Sequence, residues 1–131
     1  MVLPLGVRGL VLFADRGLEL DEGEPLSKAA HAALREPKTI EGGFGAVFDA
    51  PSMYASGWTV ALYKGHKVFT HNGMMEAYGA AVVFFPDEDY GVVAMGNTAV
   101  EANVVAEILL WGLIDDRLEV PEEKRFAWGK K

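Results

Sequence analysis

An α+β fold is predicted: an antiparallel β-meander covered by a C-terminal helix and a short N-terminal helix. Three observations carry it. Between Trp58 and Gly96, runs rich in β-formers alternate with short polar links. Two of these runs, "YGAAVVFF" (Tyr78 to Phe85) and "YGVVAMG" (Tyr90 to Gly96), are almost continuously apolar, the mark of strands covered on both faces. A long apolar stretch with helical periodicity follows, from Thr98 to about Ile114.

Taken in order, "GLVLFA" (Gly9 to Ala14) is short and apolar, and its period does not decide between a buried strand and a helix. "DEGEP" (Asp21 to Pro25) is a loop by composition. Ser27 stands where an N-cap belongs, so "KAAHAALRE" is expected to form a short helix with Ala30, Ala33 and Leu34 inward, stopped by Pro37. His31 on this helix is expected at the surface or half-buried. The Gly- and Pro-punctuated stretch from Lys38 to Gly57 reads as a long connection, of the kind that forms lids and rims.

"WTVALY" alternates as a strand should, Lys64-Gly65 turns the chain, and "HKVFTH" returns. "PDED" (Pro86 to Asp89) is a turn with proline at its second position. Thr98 and Glu101 have the spacing of a capping box. Val100, Val104, Ile108 and Trp111 form one helical stripe with Val105 and Leu109 beside it, expected to pack on the sheet. Asp115 and Asp116 lie at the negative end of the helix dipole, so the helix is expected to break there. Pro121 opens a further short turn. Trp58, Phe69 and Trp111 are read as packing residues.

The chain has 131 residues, half of them hydrophobic, which is enough for one domain with a real core. Its 12 basic and 19 acidic residues give a formal charge of -7, which argues against a nucleic-acid partner. The absence of cysteine excludes disulfides and thiolate nucleophiles. The histidines (His31, His66, His71) include no H-x-x-x-H pair, so neither a metal site nor any cofactor is expected. The N-terminal "MVLPLGVRGLVLFA" lacks a basic leader and is interrupted by Arg8. Its apolar run is too short to span a bilayer, so a cytoplasmic location without a membrane partner is the expectation.

"VFTHNG" (Val68 to Gly73) poses the functional question. Asn-Gly between apolar runs ordinarily signals a hairpin turn. Here "MMEAYG" follows and the next strand begins near Tyr78, so the link reads as longer than a tight hairpin and His71 is left at a strand end. The order "YASGW", strand, "GHKVFTHNG", "AYGAAVVFFPDEDYGVVAMGN" and amphipathic helix resembles the C-terminal part of the β-lactamase-like serine hydrolases. That group includes class C β-lactamases, penicillin-binding DD-peptidases, D-aminopeptidases and related esterases. The resemblance runs from Pro25 to Lys131 and implies a partial β-lactamase/transpeptidase-like fold. It divides the chain into an unassigned segment 1–24, a family part 25–118 and a tail 119–131. The tail, "VPEEKRFAWGKK", is similar to a linker that in some relatives leads to a further β domain.

His71-Asn72-Gly73 resembles the His-x-Gly form of the family's third motif. The resemblance implies that His71 is an auxiliary catalytic contact near the nucleophile and that Gly73 clears the cleft wall. It also implies that backbone at Met74 or Met75 lines the acyl pocket or oxyanion hole, with Glu76 and Tyr78 nearby. A histidine, with an ordinary pKa of about 6.5, is able to serve there as a neutral polar contact.

The family nucleophile, a serine in Ser-x-x-Lys, has no match: Ser27, Ser52 and Ser56 are followed three residues on by Ala30, Ala55 and Thr59. Tyr-x-Asn is also absent, the nearest approach being Tyr54-Ala55-Ser56. Acyl transfer needs an activated nucleophile with its base in reach, and these residues supply one wall of such a site. The expectation is a truncated β-lactamase-related serine hydrolase fragment, inactive alone. A second reading is a non-catalytic module that binds a partner chain or a small ligand through the sheet. In the family, strands from the N-terminal part lie beside the strand matching Tyr90 to Met95. Left open, that edge invites self-association or a complementing chain, and "GLVLFA" is the candidate to cover it.

Overall fold

The computed structural model describes residues 9–14, 27–41 and 47–125. The expected loop at Asp21 to Pro25 and the last six residues of the tail lie outside the described residues, as do the side chains of Val100 and Glu101. The elements in chain order are β1 (Gly9–Ala14), α1 (Lys28–Arg35), β2 (Thr39–Ile40), β3 (Met53–Tyr54), β4 (Thr59–Tyr63), β5 (His66–Met75), β6 (Tyr78–Phe85), β7 (Tyr90–Gly96) and α2 (Ala99–Arg117). Short 3-10 turns follow β6, at Pro86–Glu88, and α2, at Glu122–Lys124. The strands form one sheet in the order β1-β7-β6-β5-β4-β3-β2, so the meander runs from β2 to β7 and β1 is added at its far edge. β1 pairs antiparallel with β7, from Gly9 opposite Gly96 to Ala14 opposite Gly91, so "GLVLFA" is a strand and takes the open edge. No helix among the described residues is long and apolar enough to cross a membrane.

Two expectations about connections change. The Lys38–Gly57 stretch is not wholly a loop: β2 and β3 add two short antiparallel strands beside β4, in pairs too short to leave a periodic signature. The carboxylate of Glu41 fastens this edge, accepting hydrogen bonds from Ser52 Oγ at 3.3 Å and Thr59 Oγ1 at 3.0 Å. Second, Asn72-Gly73 lies inside β5, and the turn to β6 is a two-residue one at Glu76-Ala77, with Glu76 at φ 50°. The link is therefore a tight hairpin after all, displaced by four residues. The Lys64-Gly65 turn forms as expected, both residues having positive φ.

By contacts the chain divides into two compact units. One contains α1, β2, β3, β4, β5 up to His71, and the Phe84–Tyr90 turn. Its core is Ala55, Val60 and Phe69, with Trp58 and Phe84 packed against them. The Phe69 and Phe84 rings stack with centroids 5.0 Å apart, and Trp58 meets Phe84 edge-on at 4.9 Å. Ser27 caps α1 by accepting from the Ala30 N–H at 3.2 Å. Glu36, preceding Pro37, is driven to extended backbone (φ -72°, ψ 122°) and ends the helix. No side chain of α1 is fully buried: His31 is half-buried as expected, but so is Ala30, while Ala33 and Leu34 are exposed rather than inward. His66 Nδ1 meets Glu88 Oε1 at 2.6 Å, tying the β4–β5 turn to the turn after β6.

The other unit contains β1, the far end of β5, most of β6 and β7, and α2. Here the expected inward stripe of α2 is corrected. Trp111 is buried as expected, together with Ala106, Leu110 and Ile114, whereas Val104, Val105, Ile108 and Leu109 face outward. The helix is apolar on nearly every side, so periodicity had no contrast from which to choose a face. The capping box is also corrected: Thr98 makes no cap bond, and its Oγ1 is buried without a hydrogen-bond partner. The helix runs past Asp115 to Arg117, a basic residue that suits the negative end of the dipole. It closes with Glu119 at φ 53°, the Glu119 N–H donating to the Asp116 carbonyl and the Val120 N–H to the Asp115 carbonyl. Arg125 returns to this end, pairing with Asp116 Oδ1 at 2.6 Å.

Candidate functional site

Sheet register brings the site residues together. β3 places Tyr54 opposite Thr59 of β4, and β4 places Thr59 opposite Thr70 of β5. His71 is the next residue along β5, at the point where burial along the strand has ended. The Tyr54 hydroxyl and His71 Nε2 are 3.2 Å apart, with the two rings tilted at 56°. When the hydroxyl donates, Nε2 accepts and the imidazole proton resides on Nδ1, which leaves an N–H to offer elsewhere. Tyr54 is itself held from behind by the Lys38 N–H, which donates to its carbonyl at 2.8 Å. The following loop, Ala55 to Trp58, is pinned by the Ala55 N–H donating to the Trp58 carbonyl at 2.7 Å and turns at Gly57, φ 87°.

Gly73 stands in ordinary strand backbone, and a Cβ added there would meet nothing within 4 Å. Neither backbone conformation nor packing among the described residues requires a side chain to be absent at that position. Strand alternation puts residues 71, 73 and 75 on one face and residues 72 and 74 on the other. Asn72 uses its face for structure, its amide nitrogen donating to Glu107 Oε1 on α2 at 3.1 Å. Met74, Met75, Glu76 and Tyr78 are all exposed at the hairpin tip.

The three serines lie in three different settings. Ser27 Oγ is engaged as the α1 cap. Ser52 is buried and bonded to Glu41. Ser56 lies exposed in the loop after β3, its backbone N–H donating to the Leu34 carbonyl at 3.1 Å. The Glu36 carboxyl is held below the usual range by its hydrogen bond to Lys38 and by that residue's charge. Sequence reasoning named His71 and Gly73, and noted Tyr54 only as the nearest approach to Tyr-x-Asn, not as the hydrogen-bond partner of His71. The available signal was "YASGW", which lies in the wrong order for Tyr-x-Asn yet reaches the same strand end through the sheet.

Comparison with known proteins gives the family. Residues 7–113 match the beta-lactamase family model, which begins well inside the segment 1–24 that carried no resemblance. An unguisins hydrolase of Aspergillus violaceofuscus is 37% identical over 84 residues, covering 64% of this chain and 15% of that protein. A second unguisins hydrolase, from Aspergillus campestris, is 31% identical over 105 residues, covering 80% of this chain and 20% of that protein. Among solved structures, the octameric penicillin-binding protein homologue from Pyrococcus abyssi superimposes with a TM-score of 0.60 at 17% identity, over 77% of this chain and 22% of that one. The chain thus spans no more than about a fifth of the curated relatives it matches. It shares with the Pyrococcus protein a fold, and with the family model most of its length: the chain belongs to the beta-lactamase family.

Proposed function

We propose that this chain supplies the third-motif wall of an acyl-serine hydrolase site and does not cleave amides or esters by itself. The observation that supports the reading is the Tyr54–His71 hydrogen bond at an exposed strand end, with Gly73 two residues on in open space. In this role Tyr54 orients the imidazole, and His71 presents its other ring nitrogen to a bound acyl group or to the attacking hydroxyl. Gly73 lets the substrate approach the strand backbone, whose N–H groups are the donors an oxyanion would use. Hydrolysis as the parent chemistry is supported by the printed activity of the two Aspergillus relatives.

The attacking oxygen and its base belong to Ser-x-x-Lys, which the sequence lacks. Without that pair the nucleophile is unactivated, and a hydroxyl at its ordinary pKa is a weak one. Treatment of the purified chain with a fluorophosphonate and with a penicillin probe, followed by mass mapping, tests this. No stoichiometric adduct is expected; one on Ser27, Ser52 or Ser56 would overturn the reading.

A further inference from the structure

The two-residue turn at Glu76-Ala77 sets Met75 opposite Tyr78, and the same register sets Gly73 opposite Ala80. The stacked rings of Phe69 and Phe84 fall on this register too. Asn72 is bonded to α2, so Gly73 and Met75 lie on the face of the sheet away from that helix. On this face the small pair Gly73 and Ala80 is followed at the hairpin tip by the large pair Met75 and Tyr78. Val82, two residues along β6 from Ala80, stands on the other side. The result is a shallow trough, roughly 13 Å from Val82 to Tyr78 at the ordinary strand rise. A Cβ placed on Gly73 would meet nothing within 4 Å, so its floor is open. Met75 and Tyr78 are 77% and 65% exposed.

Charge selects what fits there. Residues 72–116 include no lysine or arginine, and the next, Arg117, is the last residue of α2. The cations on β5 stand at its other end, where Lys67 and Arg35 flank Phe69. Between Asn72 and Phe85 the one charged side chain is Glu76, acidic and exposed at the tip. A carboxylate laid in the trough would give up water, gain no cation and face Glu76. An ammonium would gain one solvent-screened carboxylate and lose hydration against Met75 and Tyr78. A neutral apolar group gains on both counts: the thioether adapts to its shape, and the tyrosine ring offers a face to stack on.

We propose that this trough receives an uncharged apolar side chain of the acyl donor, and that the site therefore takes neutral amides or esters in preference to substrates carrying a free carboxylate or ammonium beside the reacting bond. The inference rests on the wall assigned above to His71 and Gly73 and adds the class of substrate to it.

The test titrates the full chain, carrying isotope-labelled methionine methyls, with three probes that differ in charge: neutral N-acetylphenylalanine methylamide, anionic N-acetylphenylalanine and cationic phenylalanine methylamide. The neutral probe should shift the Met75 methyl and the Tyr78 ring saturably and leave Met53 on β3 unmoved, with the two charged probes at least fivefold weaker. Gly73→Val, which fills the trough and suits a strand, should abolish the Tyr78 response while the variant still melts cooperatively. Met75→Lys, at an exposed position, should turn the preference toward the anionic probe. No saturable shift, equal or tighter binding of either charged probe, a response indifferent to Gly73→Val, or a preference unchanged in Met75→Lys would each overturn the proposal. None of these outcomes touches the wall reading itself, which falls instead on a fluorophosphonate adduct at a serine.

Discussion

The two ends of β5 follow the same strand geometry and do opposite work. At its start, Val68 and Phe69 are both buried, Phe69 against Phe84 and flanked by the Arg35 and Lys67 cations at 5.8 Å and 5.2 Å from its ring centre. From His71 to Met75 every side chain is exposed, large apolar ones included. Burial explains the residues of the first half. In the second half it explains none of them, and a histidine, a glycine and two methionines held in open space are what a surface facing a ligand or partner looks like.

The largest effect should come from the buried end. Phe69→Ala removes the ring that joins β5 to Phe84 and leaves a cavity among Ala55, Val60 and Trp58, at an expected cost of ~3–5 kcal/mol in denaturant unfolding. A loss below about 1 kcal/mol would mean that the stacked pair is not a core.

What the sequence disclosed follows the same division. Strands β4 to β7 were legible because alternation and turn residues left a strong signal, and Ser27 and Pro37 bounded α1 correctly. β2 and β3 were not, since two-residue strands owe their existence to their neighbours. The inward face of α2 was misread because apolar residues occupy nearly all of its surface and packing, not pattern, selects Leu110 and Ile114. The hairpin tip was misplaced because Asn72-Gly73 has strong turn chemistry that Asn72 instead spends on Glu107. Of the candidate site, His71 and Gly73 were named from motif resemblance. Tyr54 was not, because its partnership with His71 exists only through the register of three strands.

A pair of glycine substitutions sharpens the comparison by sign. Gly65, at the mouth of β5, has φ 84°, and alanine there meets no steric neighbour but suffers the left-handed backbone, so Gly65→Ala should cost about 1 kcal/mol. Gly73 lies in the open half with unstrained strand backbone, and alanine limits the freedom of the unfolded chain, so Gly73→Ala should be neutral or stabilise by up to ~1 kcal/mol. Chemical denaturation of the two variants checks both. Destabilisation of Gly73→Ala would show that the glycine serves the fold and would remove one support for a cleft wall.

The smallest expected effect bears most on function. His71 is exposed, and its bond to Tyr54 is a single surface contact, so His71→Ala should change stability by no more than ~0.5 kcal/mol. Nitrogen chemical shifts of the His71 ring report the tautomer directly. If Tyr54 donates to Nε2, the native ring should carry its proton on Nδ1, and Tyr54→Phe should release it toward a mixture of both tautomers without altering the melting curve. A stability loss above about 2 kcal/mol for His71→Ala would assign the pair to the fold. A ring whose tautomer ignores Tyr54→Phe would mean the hydroxyl orients nothing, and the chain would then present a histidine at its strand end without the means to aim it.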